Sequence, residues 1–71
     1  VISYAPLWET MARRGATTYT LQVMGGISSA SIRRMKAGDS VSTNTLEALC
    51  KLLNCSLADI VEYLPDTDEQ S

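Results

Sequence analysis

An all-α fold of five short helices is what this sequence of 71 residues predicts. Three observations carry the expectation. Apolar residues recur at helical spacing, most clearly Leu46, Leu49, Cys50 and Leu53 at i, i+3, i+4 and i+7. Serines and threonines stand where such runs begin, as helix N-caps do. Glycine, asparagine or proline stands where they end. A chain this short is one domain with a thin core, running from residue 1 to 71.

Val1 to Tyr4 is β-branched and aromatic and fits a short strand or an ordered arm. Pro6 suits the first turn of helix one, where its missing N–H costs nothing. Leu7, Trp8, Met11 and Ala12 fall on one side of it. Gly15 ends it, with Arg13 and Arg14 in the last turn, where cations complement the helix dipole. Thr17 or Thr18 caps helix two, in which Leu21 faces inward and Met24 lies one turn later. Gly25-Gly26 stops it, and Ile27 is a core plug between helices. Ser28 caps helix three, which runs to about Ala37 with Ile32 and Met35 inward and closes on Gly38. After a polar loop, Ser42 or Thr43 opens helix four, and Asn54 takes the left-handed turn that ends it. Ser56 with Asp59 three residues on resembles a capping box. Leu57, Ile60, Val61 and Leu64 then repeat the helical spacing as helix five, stopped by Pro65. Residues 66–71 form a polar tail.

Composition excludes much chemistry. The chain has no histidine, so a Ser-His-Asp or Cys-His arrangement cannot form. GGISSASIRRMKAG is not a phosphate loop. Cys50 and Cys55 are too few for a zinc site. A disulfide is possible in principle, but one bridge is few for a small secreted scaffold, and their places at or beside apolar helix positions predict reduced, buried thiols in a cytoplasmic protein. No enzyme activity, cofactor, metal or small-molecule ligand is indicated. No apolar run approaches the ~20 residues that cross a bilayer, and no basic-then-apolar signal segment opens the chain.

Charge is unevenly spread beneath a formal net of -2. From Thr10 to Gly38 there are Arg13, Arg14, Arg33, Arg34 and Lys36 and no acid. From Ser56 onward there are five acids and no base. The order helix, Gly-Gly turn, Ile27, Ser-capped helix is that of a helix-turn-helix, whose second helix enters the major groove of DNA. With Ile32 and Met35 turned inward, Ser29, Ala30, Arg33, Arg34 and Lys36 remain outside or at the edge. Small residues at the helix start permit close approach, its backbone N–H groups can bind phosphate, and arginine can pair with guanine.

At these residues the chain resembles the phage repressor/Cro-like helix-turn-helix domain, the XRE-type bacterial regulators. It is similar to a small subgroup with ISYxPLW near its start and LCKxLNCxxxDIxEYxPD near its end. Those stretches read here as ISYAPLW, from Ile2 to Trp8, and LCKLLNCSLADIVEYLPD, from Leu49 to Asp66. GISSASI, from Gly26 to Ile32, falls at the turn and recognition-helix start. The resemblance covers nearly the whole chain. It implies a lambda-repressor-like fold and a small bacterial or phage transcriptional regulator that binds double-stranded DNA, often as a homodimer. It implies base contacts at Ser29, Ala30 and Arg34 with Arg33 beside them, and a phosphate contact at Thr18; Ser28 at the helix start and the cation Lys36 are further phosphate candidates by position and charge. Thr18 stands where many members carry a longer glutamine, Gln22 where alanine is usual, and Lys36 where glutamate is common. Gly25 takes a place where an apolar residue is common. Val23 and Met24 replace polar residues and are candidates for a partner interface. The alternative is that the same fold serves as a protein-interaction module with little or no DNA binding.

Overall fold

Tyr4 and Thr10 show how the chain closes on itself. Tyr4 is buried, and its hydroxyl donates to the Asp39 carbonyl at 2.7 Å, which ties the N-terminal segment to the loop after the third helix. Thr10 is equally enclosed, and its hydroxyl donates to the Asp59 carbonyl at 2.8 Å, which ties the first helix to the chain's last turn. A computed structural model describes residues 1–65; the predicted polar tail, 66–71, lies outside the described residues.

In chain order the elements are strand β1 (Ile2–Ser3), α1 (Ala5–Arg14), α2 (Thr18–Val23), α3 (Ser29–Ala37), α4 (Thr43–Leu53), a 3-10 turn (Leu57–Asp59) and strand β2 (Glu62–Tyr63). Helix starts follow the hydroxyl caps. Thr17, Ser28 and Ser42 each accept the backbone N–H three residues on, from Thr20, Ser31 and Thr45 at 3.3, 3.1 and 3.2 Å. Such caps satisfy donors that the helix leaves unpaired. α1, α3 and α4 end on Gly15, Gly38 and Asn54, all in the left-handed region.

Leu7 and Met11 of α1, Leu21 of α2, Ile32 and Met35 of α3, and Leu49 and Leu53 of α4 meet in one core with Tyr4, Ile27 and Ile60. Trp8, Leu46 and Cys50 lie at its edge. Ala12, placed inward by spacing, is exposed. Thr10, next to Met11 in α1, is inward instead, and its hydroxyl is paired and so can be buried.

The last segment departs from expectation. Among the described residues there are four α-helices, and the fifth is replaced by the 3-10 turn and β2. The Asp59 carboxylate accepts from the Ser56 N–H at 3.3 Å and from the Ser56 hydroxyl at 3.2 Å, which sets up a single turn. Beyond it Glu62 and Tyr63 pair antiparallel with Ser3 and Ile2. A helix between Ser56 and Pro65 would be too short to stand without strong packing. Only Ile60 and Val61 of its apolar set reach the core, while Leu57 and Leu64 are exposed. Pairing with the β-branched start of the chain satisfies the backbone instead. The start itself is a strand.

Candidate nucleic-acid interface

α2, the turn and α3 form the unit on which the interface is built. The turn is tight because Leu21 holds it twice: its carbonyl accepts the Gly25 N–H at 3.2 Å and the Ile27 N–H at 3.0 Å. Gly26 has φ +67, a conformation that residues with a Cβ rarely adopt. Gly25 is there for space: a Cβ would stand 2.8 Å from the Leu21 carbonyl oxygen and 2.8 Å from Leu52 Cδ2. A larger residue here would force the turn or Leu52 to shift. Ile27, 5% exposed, anchors the turn between the helices.

α3 leaves this turn with Ile32 and Met35 buried. Helical spacing then sets Ala30, Arg33, Arg34 and Ala37 on the opposite stripe, at i, i+3, i+4 and i+7, with Ser29 and Lys36 at its margin. Ser29, Arg33, Arg34, Lys36 and Ala37 are exposed and Ala30 is half-buried. The stripe carries two arginines between two small residues, so a flat or convex partner can come close to the backbone while both guanidinium groups reach past it. Ala37 lies at the far end of α3 from its small-residue start, and only its register with Ala30, Arg33 and Arg34 places it on the stripe.

Ser28 is exposed, and its hydroxyl is committed to the α3 cap. Thr18 is half-buried and does not cap α2. Thr17 does, with Thr20 returning the bond: the Thr17 N–H donates to the Thr20 hydroxyl at 3.2 Å. The Thr18 side chain is thereby left available to a ligand.

α2, α3 and α4 all start with neutral hydroxyl caps, and none has an acid in its first turn. An acid there would stabilise each helix through the dipole but would repel an anion. Ser28 and Ser31 of the turn and α3 line a shallow cleft together with Asn44 and Thr45 of α4. Asn44, exposed on the first turn of α4, thus joins the same surface. The signal for it was the Ser42 cap.

The five cations do not share this surface. Arg13 donates to the Thr10 hydroxyl at 3.1 Å and Arg14 to the Asn54 carbonyl at 3.3 Å. Asn54 is at the far end of α4 from Ser42, and an eleven-residue helix separates the two by about 16 Å. Arg33, Arg34 and Lys36 alone lie on α3.

Val23 and Met24, at the end of α2, are 61% and 74% exposed, and Tyr19 on the same helix is 70% exposed. Among the described residues no group of three or more His, Cys, Asp and Glu could hold a metal ion. Among the described residues no helix is long and apolar enough to cross a membrane.

Comparison with known proteins gives concordant results. A family model described as the Cro/C1-type HTH DNA-binding domain matches residues 6–66. YozG of Bacillus subtilis (strain 168), an uncharacterised HTH-type transcriptional regulator, is 37% identical over 60 residues, which cover 82% of this chain and 71% of that protein. The crystal structure of the transcriptional regulator VanUg, Form II, is similar with a TM-score of 0.84 at 32% identity, over 92% of this chain and 87% of that one.

Proposed function

The chain belongs to the Cro/C1-type helix-turn-helix DNA-binding domain family, and we infer that it regulates transcription by sequence-specific binding to double-stranded DNA, with α3 as its recognition helix. The observation that carries this is the division of α3: Ile32 and Met35 are sealed in the core while Ser29, Arg33 and Arg34 face outward. Arg34 and Arg33 suit guanine, Ser29 either strand's polar edges, and Ala30 a thymine methyl. Thr18 and Lys36 hold phosphate, and Ser28, whose hydroxyl caps α3, contributes through its backbone N–H at the acid-free start of that helix. The protein works by binding rather than catalysis, in the cytoplasm where bacterial DNA lies.

Fluorescence anisotropy on a selected duplex tests the assignment. Replacing Arg33 and Arg34 together by alanine is expected to weaken binding by at least roughly tenfold, since one bidentate arginine contributes about 1–3 kcal/mol. Circular dichroism should stay unchanged, because both side chains are exposed. Unchanged affinity in the folded double variant would refute α3 as the reading helix.

A protein contact is favoured by the exposed Val23 and Met24. One module reads few bases, so a homodimer on half-sites about 34 Å apart suits a specific regulator. Tyr63 and the first strand present the other exposed apolar group, with Val1, Ile2 and Leu64. Sedimentation equilibrium of Met24→Asp and Tyr63→Asp separates the two: the variant that becomes monomeric marks the contact. A wild-type chain that stays monomeric on the duplex removes the dimer altogether and leaves Val23 and Met24 for a different protein.

A further inference from the structure

The C-terminal end of α4 closes in a left-handed capping motif, in which the Asn54 N–H donates to the Cys50 carbonyl. Asn54 takes the left-handed conformation, with φ 52 and ψ 56. The Cys55 N–H donates to the Cys50 carbonyl at 3.1 Å. That bond is the motif's long contact, and the residues at its two ends are those whose side chains meet across the turn. In most such turns the meeting pair is apolar. Here both members are thiols. The bond holds the two backbones close together, the first requirement of a disulfide. Neither cysteine is sealed away: both are free, half-buried and packed on the rim of the core. They are near enough for Cys50 to act on the Cys55 thiol as a neighbouring charge.

We propose that Cys50 and Cys55 form a reversible dithiol–disulfide couple built into the α4 cap, oxidised by a peroxide or by exchange with a small-molecule disulfide. With hydrogen peroxide, one thiolate sulfur attacks an oxygen, the O–O bond breaks, and the departing hydroxide takes a proton to leave as water. The resulting sulfenic acid is attacked by the second sulfur as that thiol gives up its proton. The S–S bond forms, the S–O bond breaks, and a second water leaves. Two thiols and one peroxide become one disulfide and two waters. Exchange with glutathione disulfide gives the same bond and two glutathione thiols.

Three groups face Cys55: Cys50 from α4, Asp59 from the 3-10 turn and Arg14 from α1. Burial pushes the Cys55 thiol up, Cys50 and Asp59 push it further, and Arg14 opposes them. The thiol therefore stays protonated near neutrality, and its reaction speeds up as pH rises. The new bond would join the end of α4 to the segment that carries Asp59, whose carbonyl holds Thr10. It braces a junction that the fold already makes, at the end of α4 remote from Ser42.

The test uses the whole reduced chain. It is incubated with excess hydrogen peroxide or glutathione disulfide, alkylated with iodoacetamide under denaturing conditions, and weighed intact. The expected product is a monomer that has lost two hydrogens and takes no alkyl group. Its thermal midpoint should rise by roughly 10 °C and return to the starting value with dithiothreitol. Two alkylated cysteines after oxidation, a stable glutathione adduct, a disulfide-linked dimer, or an intramolecular bond that lowers the midpoint would each overturn the proposal. Cys50→Ser should instead accumulate the sulfenic acid or the glutathione adduct on Cys55. The wild-type readout stands by itself should that variant fail to fold.

Discussion

Gly25 and Thr10 decide more than their size suggests. At Gly25 the obstacle is partly soft, since the Leu52 side chain can turn aside, and partly hard, since the Leu21 carbonyl belongs to the backbone and holds the turn. Gly25→Ala is expected to destabilise the fold by about 1–3 kcal/mol, as overpacking does, and urea unfolding monitored by circular dichroism reads it directly. An unchanged midpoint would mean that the turn yields. The sequence marks a stop at Gly25-Gly26 but does not say which glycine serves conformation and which serves space. That division depends on Leu52, which is distant in the chain. Thr10 was illegible for a related reason. Periodicity finds apolar residues, and a threonine at an inward position looks like an interruption until the Asp59 carbonyl appears opposite it.

At the scale of elements, α1 to α4 could be read closely because each is bounded by local chemistry. Ser28 and Ser42 cap as expected, and Gly15, Gly38 and Asn54 end their helices as expected. The last element could not, because its competitor lies at the other end of the chain. The spacing of Leu57, Ile60, Val61 and Leu64 satisfies a helix, but only tertiary pairing with Ile2 and Ser3 decides otherwise. A fifth helix would bury Leu57 and Leu64 alongside Ile60. Here Ile60 is wholly buried, and the two leucines are 52% and 45% exposed. Ile60→Ala should therefore cost about 2–5 kcal/mol, whereas Leu57→Ser should stay within about 0.5 kcal/mol of wild type. Guanidinium unfolding of the two variants side by side checks both. Comparable losses would restore the helix. The same limit applies to the interface: Arg33, Arg34 and Ser29 were legible from α3 alone, but Asn44 needed α4 to be set beside the turn.

Across the whole molecule, the basic half of the sequence separates into two functions. Arg13 and Arg14 are spent on the protein itself, and Arg33, Arg34 and Lys36 face outward on α3. Sequence asymmetry showed the excess of charge and could not show this division, since the partners of Arg13 and Arg14 are a hydroxyl and a carbonyl rather than acids. Lys36→Ala is expected to flatten the salt dependence of duplex binding by about 0.9 in log–log slope, the loss of one phosphate contact. Arg14→Ala should leave that slope unchanged and lower the thermal midpoint. Anisotropy titrations across a range of salt concentrations, with thermal melts, read both, and a slope lost in Arg14→Ala would return that side chain to the interface. The strand pair has a consequence of a different kind, in time rather than space. Ile2 finds Tyr63 across nearly the whole chain, whereas each helix turn closes over a few residues. Ordering the intervening chain first shortens the search for that contact. α3 and its turn are therefore expected to form early from neighbours, and the two strands to pair last.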